Sequence, residues 1–397
     1  MLLEGCKVIE LATYIAGPAA TSIMGDWGAE VVKVEGLTGD PIRWVRPPYK
    51  AESPDIPPNF EIDNHGKKSI AVDISKPEGR DVVLELLRTA DVFVTSLREA
   101  SLARAGLNFD VVRKLNPALV FASVSGYGLK GPGASMNAFD LTAFWSRSGL
   151  ALQFFPPDAM PSGVRPGVGD HITGLTLALG IMAALVERAR TGKGRVVEAS
   201  LLAAGLYVGS YDIAEFMRRG AVMPSQSRAS ADSASFYQSQ DGRWFSYYPN
   251  NPEHDWMTIF AAANRRDMID DARFATPNGR RENARDLKLA LDAGFGGAPM
   301  AAIAETFNAG GLTWSEMSTL PEVVSDPLVA ATGCFIDFDD GQDGTLRVPG
   351  PPVRFPDVEP RRAGPVPTIG QHTEEILLGL GRDDNAIAAL RREGVVR

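Results

Sequence analysis

"CKVIELATYIAGPAATSIMGDWGAEVVKVEG", residues 6–36, decides the fold. Its first part, "CKVIELA" (6–12), reads as a buried strand. "GPAATSIMGDWG" (17–28) reads as a short helix, with Pro18 in a first turn that has no use for its missing N–H. "EVVKVEG" (30–36) is a second strand. The unit is therefore strand–helix–strand, and the pattern continues beyond it. "SIAVDI" (69–74), "DVFVTS" (91–96), "ALVFASVSG" (118–126) and "RVVEASL" (195–201) read as strands. "KPEGRDVVLELLRTA" (76–90) and "FDVVRKLNP" (109–117) read as helices between them. Apolar, β-branched strands alternating with amphipathic helices predict an α/β fold, with a mainly parallel sheet covered on both faces. Ligands of such sheets bind beyond the carboxyl ends of the strands.

From about residue 225 the texture changes. "ASFYQSQDGRWFSYYP" (234–249) predicts a hairpin around Asp241-Gly242, a favoured turn pair. Charged helical segments follow, and "GCFIDFDDGQDGTLRVPGPPVRF" (333–355) carries a second hairpin signal. A smaller α+β domain is expected over 225–330, with the large domain formed by 1–224 and completed by 331–397. "HTEEILLGLG" and "NAIAALRREG" read as two C-terminal helices. The Pro-rich stretch "PPYKAESPDIPPN" (47–59) is of the kind that lies over a site.

Composition narrows the function. The 397 residues are 44% apolar and 22% charged, and 40 basic against 49 acidic side chains give a net charge of −9. That balance argues against a nucleic-acid binder, whose affinity comes from neutralising phosphates. A local basic pocket for a small polyanion stays compatible with it. Cys6 and Cys334 form neither a disulfide framework nor a zinc site, and a reduced, cytoplasmic setting is expected. The N-terminus has no signal-peptide pattern. The most apolar stretch runs from near Ile172 to Val186, shorter than the roughly 20 residues of a membrane span, and reads as a buried helix.

Several signatures are missing. No G-x-G-x-x-G follows the first strand, no P-loop spacing surrounds "TGKGR" (191–195), and there is no G-x-S-x-G elbow. His65, His171, His254 and His372 are scattered without metal-ligand spacing, so neither a metal nor a redox cofactor is expected. A carboxylate or hydroxyl is left as the chemical actor, and "GVRPGVGDHITG" (163–174) delivers one. Asp170 suits the start of a helix over 171–190 as an N-cap. It equally suits nucleophilic attack on an activated acyl group, because the loop of Pro161, Gly163, Pro166, Gly167 and Gly169 lets a bulky ligand approach. Spacing alone leaves both readings open.

These segments resemble the class III CoA-transferases, the group that includes formyl-CoA transferase, carnitine CoA-transferase and the 2-methylacyl-CoA racemases. The matching stretches are 5–43, 64–94, 104–132, 138–149, 169–201 and 351–381, in family order. The resemblance implies a Rossmann-like domain plus a small domain, in ring-shaped chains interlocked as a homodimer. It implies Asp170 as the nucleophile on a donor acyl-CoA, with coenzyme A and a carboxylic acid as small-molecule partners and no membrane. Candidate CoA contacts are Arg43, Lys67, Lys68 and Arg104 in matching segments, with Ile15, Ala16 and Gly17 near the thioester. The family often has Asn-Phe-Arg-Pro-Gly where this chain has Ser96-Leu97-Arg98-Glu99-Ala100. Phe154, Phe155 and Trp145 hint at a large apolar acyl group. The racemase branch, a competing reading, carries a proton-moving His before the Asp of the "AFD" segment, where this chain has Phe139. An acyl-CoA-binding chain without turnover is a third reading.

Overall fold

The structure, a computed structural model, describes residues 1–45, 57–155, 159–222, 235–339, 344–358 and 364–397. Most of the Pro-rich stretch 47–59, the turn of the 333–355 hairpin and the expected domain boundary at 224/225 lie outside the described residues. The chain divides into two compact units. The larger holds residues 1–151, 162–218 and 332–397, and the smaller holds 152–161 and 219–331. The C-terminal segment thus belongs with the larger unit, while 152–161, expected in the large domain, goes with the smaller.

The larger unit is built on β1 (Lys7–Leu11), β2 (Glu30–Glu35), β3 (Lys68–Ala71), β4 (Val92–Thr95), β5 (Val120–Ser125) and β6 (Val196–Ser200). They form one parallel sheet in the order β3-β2-β1-β4-β5-β6. Helices between and after them are α1 (Ala16–Asp26), α2 (Pro58–Asn64), α3 (Pro77–Arg88), α4 (Glu99–Arg104), α5 (Phe109–Leu115), α6 (Leu150–Gln153), α7 (Val168–Thr191), α8 (Leu201–Val208) and α9 (Ser210–Arg219).

Successive strand residues point to opposite faces, and here both faces are buried. Val8, Val31, Val92 and Val120 pack with Met24 of α1 and Leu177 of α7. Ile9, Val32, Phe93 and Phe121 pack on the other side with Leu87 of α3 and with Leu377 and Leu390 near the C-terminus. Each such side chain stabilises the fold by about 1.5–3 kcal/mol on burial. This is why the strands read as apolar runs rather than as alternating patterns. α1 and α7 approach closely at Gly174, where a Cβ would lie 2.7 Å from the Ala16 carbonyl oxygen and 2.9 Å from Ala19 Cβ. α7 is long and apolar enough to cross a membrane by length and composition. It exceeds the 172–186 core of the expectation because polar residues extend both ends, and its inner face lies in the sheet core.

The smaller unit has an antiparallel sheet of β7 (Ser235–Gln238), β8 (Trp244–Tyr248) and β9 (Thr313–Glu316), with β7 and β8 joined through Asp241-Gly242. Around it lie α10 (Pro252–Ala262), α11 (Pro277–Glu282), α12 (Ala284–Gly296), α13 (Met300–Ala309), α14 (Leu320–Ser325) and α15 (Pro327–Thr332). Its core is aromatic, centred on Tyr237, Phe245, Tyr247, Phe295 and Phe307. The larger unit finishes with the antiparallel pair β10 (Phe335–Asp339) and β11 (Thr345–Pro349), then α16 (Thr373–Gly379) and α17 (Asp384–Arg392), where the sequence placed its last hairpin and helices.

Candidate active site

The chain order of the sheet reverses between β1 and β4, and at such a point the loops leaving the two strands diverge and open a crevice. A cleft of about 1190 Å³ occupies that place. Its walls come from 13–17 after β1, 96–101 after β4 and 125–128 after β5, closed by Asp140, Gly167 and Asp170.

Asp170 is not the helix cap. α7 begins at Val168, and the capping position belongs to Gly167, whose φ of +91° is the left-handed conformation that glycine adopts without strain. Asp170 is the third residue of the helix, half-buried, and no donor among the described residues is bonded to its carboxylate. The helix start is set by a distant residue instead. Buried Asp140, the first residue of a π-helical turn over Asp140–Ser146, accepts a 2.9 Å hydrogen bond from the Gly167 N–H.

The electrostatics around Asp170 are unusual for an acid. Burial pushes its carboxyl up to about 7, and the neighbouring charges of Asp140 and Asp63 push the same way. His171 opposes them. Its Nε2 lies 3.2 Å from Asp63 Oδ1, so its ring is turned toward α2 and is not among the residues lining the cleft. Burial pulls the His171 imidazole down, but Asp63 and Asp170 outweigh it and raise its pKa. A carboxylate with a raised pKa is a stronger nucleophile than an ordinary aspartate and is still substantially ionised near neutrality.

The residues expected to contact a ligand separate into two groups. Ile15, Ala16, Gly17 and Arg104 line the cleft. Arg43, Lys67 and Lys68 are not among its lining residues, and in each case the charge is engaged by carboxylates. Arg43 makes a bidentate pair with Glu35, donates to the Pro367 carbonyl and stacks 3.9 Å over the Phe60 ring. Lys67 is buried on Glu10 at 2.7 Å and donates to the Pro18 carbonyl at 3.0 Å. Burial lowers its pKa against the pull of Glu10. Lys68 is the first residue of β3, at the amino end of the sheet away from the cleft, where it pairs with Glu30 and Glu375.

Lys67 is part of a buried network beneath the β1–α1 loop. Glu10 also takes Lys33 at 2.7 Å and the hydroxyl of Thr21. Lys33 reaches Asp40 at 2.8 Å, and Asp40 accepts from the Tyr14 N–H at 3.1 Å. Burial alone would raise the Glu10 carboxyl, but Lys33 and Lys67 outweigh it and hold it at about 2. The network fixes the backbone that forms one wall of the cleft.

Sequence reasoning missed Tyr14, Arg98 and Asp140, which line the cleft together with Phe139, singled out above only for the proton it cannot carry. The available signals were their places in segments already singled out: Tyr14 before Ile15, Phe139 and Asp140 in "AFD", Arg98 in the 96–100 loop. Trp145, Phe154 and Phe155 are not among the cleft-lining residues. The Trp145 indole donates to the Ser162 carbonyl at 2.9 Å, and Phe154 and Phe155 fall in the smaller unit.

Comparison with known proteins gives one picture. Residues 3–373 match the family described as CoA-transferase family III. The chain is 32% identical to (R)-2-hydroxy-4-methylpentanoate CoA-transferase of Clostridioides difficile, over all of both chains. It is 33% identical to succinyl-CoA:glutarate CoA-transferase of Mus musculus, over 99% of this chain and 90% of that one. A CAIB/BAIF family protein from Brucella suis, solved by crystallography, superposes with a TM-score of 0.85 at 27% identity, covering 95% of this chain and 99% of that one. This chain therefore belongs to CoA-transferase family III, a family of enzymes.

Proposed function

We propose that this enzyme moves CoA from an acyl-CoA donor to a free carboxylic acid through a covalent intermediate on Asp170. An Asp170 carboxylate oxygen attacks the thioester carbonyl and expels CoA as its thiolate, leaving a mixed anhydride. The thiolate then attacks the aspartyl carbonyl, releases the donor acid and forms an aspartyl-CoA thioester. The acceptor carboxylate attacks that thioester and frees the thiolate again. Attack of the thiolate on the new acyl carbonyl gives the product acyl-CoA and returns Asp170 as a carboxylate. Every step exchanges one acyl bond for another, so the scheme runs without a metal or redox group.

The observation that carries this reading is a half-buried carboxyl, raised to about 7, that lines a cleft at the switch point of the sheet. The first turn of α7 also supports it, because N–H groups there have no partner within the helix and favour developing negative charge. Ile15, Ala16 and Gly17 would lie along the thioester, while Arg98 and Arg104 would meet the phosphates of CoA. Arg43, Lys67 and Lys68 would act through the walls rather than on the ligand. Phe139 has no proton to move, which speaks against racemisation by two bases. The family reading also assigns an interlocked homodimer in the cytoplasm. Leu179, Tyr207, Tyr211 and Met217 on α7–α9 are exposed apolar side chains that a second chain would cover.

The test is transfer itself. The protein is incubated with a panel of acyl-CoA donors and free acids, and the products are separated by chromatography. New acyl-CoA from wild type, and none from Asp170→Ala, is expected. Deuterium wash-in at the acyl α-carbon without transfer would establish racemase chemistry in its place.

A further inference from the structure

We propose that Tyr14 and Phe139 form an aromatic wall that selects acyl groups with a branched or aromatic apolar substituent and rejects dicarboxylic acyl groups. This rests on the transferase reading above and names its substrate class.

The two rings meet edge to face, with centroids 5.4 Å apart and planes at 84°, and both line the cleft. Both remain substantially exposed, Tyr14 at 38% and Phe139 at 55%. Each is attached directly to the residues that frame Asp170. Phe139 precedes Asp140, which holds Gly167, and Tyr14 precedes Ile15, whose Cδ1 lies 3.6 Å from where a Gly167 Cβ would be. An acyl carbonyl under attack by Asp170 therefore has its substituent beside this pair.

The wall is held in place by the fold. Tyr14 has φ of +64°, a conformation that a bulky residue adopts only under constraint. The constraint is its N–H bond to Asp40, itself locked by Lys33. Phe139 is fixed by reciprocal bonds with the Thr142 hydroxyl, both at 3.0 Å. Strain retained in an exposed aromatic at a cleft points to use of the ring rather than to packing.

Charge decides against the alternative. Among the described residues, the arginines and lysines that line the cleft are Arg98 and Arg104, both in the segment that follows β4. The surroundings of Asp170 supply the carboxylates Asp140 and Asp63, and the opposing group, His171, is engaged by Asp63 at 3.2 Å. A second carboxylate on the acyl group would enter a partly desolvated site beside like charges and, among the described residues, without a free counter-ion. An apolar substituent meets aromatic faces and needs no partner.

The experiment measures exchange of isotopically labelled CoA into acetyl-, 3-methylbutanoyl-, phenylacetyl- and succinyl-CoA. Exchange requires only acylation of Asp170 and its reversal, so no acceptor has to be known. Wild type is expected to exchange phenylacetyl- and 3-methylbutanoyl-CoA at least about tenfold faster than succinyl-CoA, in kcat/KM. Phe139→Ala should lower the phenylacetyl-to-acetyl ratio about tenfold, and Tyr14→Asn, which suits the left-handed backbone, should act likewise. Phe139→Arg, which supplies the missing cation, should raise succinyl-CoA exchange about tenfold. A wild-type preference for succinyl-CoA, or ratios unmoved by all three variants, overturns the wall. Absence of exchange from every donor overturns the transferase reading and this inference with it, a result distinct from exchange with the wrong ranking.

Discussion

Replacing Asp170 with Asn should abolish activity and make the protein more stable. In the unfolded chain this carboxyl titrates near 3.8, and in the folded chain burial and Asp140 carry it to about 7. Between those values the folded state holds the proton more tightly, so stability falls as pH rises through that window and the whole penalty is present above it. The difference corresponds to about 4 kcal/mol at most. The site is half-buried, and solvent screening brings the expected gain for Asp170→Asn to about 2 kcal/mol. For a chain of this size that is a rise of about 2–3 °C in Tm. The assay is thermal melting of wild type and Asp170→Asn at pH 8, 6 and 4.5. The gain should be largest at pH 8 and shrink steadily toward pH 4.5. A variant no more stable than wild type at pH 8, or a gain independent of pH, would refute the view that the fold holds Asp170 against its ionised state.

Three further outcomes follow from the same structure. Asp140→Asn keeps an oxygen for the Gly167 N–H but removes a charge that raises the Asp170 pKa. The acid limb of the kcat/KM profile should therefore move to lower pH, whereas His171→Gln, which removes the opposing charge, should move it to higher pH. Glu10→Gln leaves the buried ammonium groups of Lys33 and Lys67 without their shared carboxylate and should destabilise the protein by about 3–5 kcal/mol, read by denaturant unfolding. Gly174→Val forces apart α1 and α7, since its Cβ would lie 2.7 Å from the Ala16 carbonyl oxygen, and should lower Tm and weaken acyl-CoA binding, because the first turns of both helices line the cleft.

The strands were legible in the sequence because both faces of the sheet are buried, which turns each strand into a short apolar run bounded by turn residues. The sheet order is that of a dinucleotide-binding fold, yet the loop after β1 reads "TYIAGP" and lacks the phosphate-binding glycines. Fold and chemistry are separate matters here, and the site has to be argued from its own residues. The start of α7 was misread because its organiser, Asp140, is remote in sequence, whereas a local rule assigns the cap to the nearest aspartate. The carboxylate partners of Arg43 and Lys67 are not legible in sequence, because a cation buried against a carboxylate and a cation awaiting a phosphate look alike in one dimension. The Tyr14–Phe139 pair is invisible in sequence for the related reason that its halves, in the loop after β1 and just before the π-helical turn, are 125 positions apart and meet only in the fold.

The central claim is that Asp170 becomes acylated. Intact-protein mass spectrometry after incubation with branched and aromatic acyl-CoAs, with hydroxylamine or borohydride trapping, tests it directly. A mass increase on wild type that maps to Asp170, and is absent from Asp170→Ala, is the predicted result. Transfer activity with no adduct at Asp170, or an adduct mapped to another residue, would contradict it.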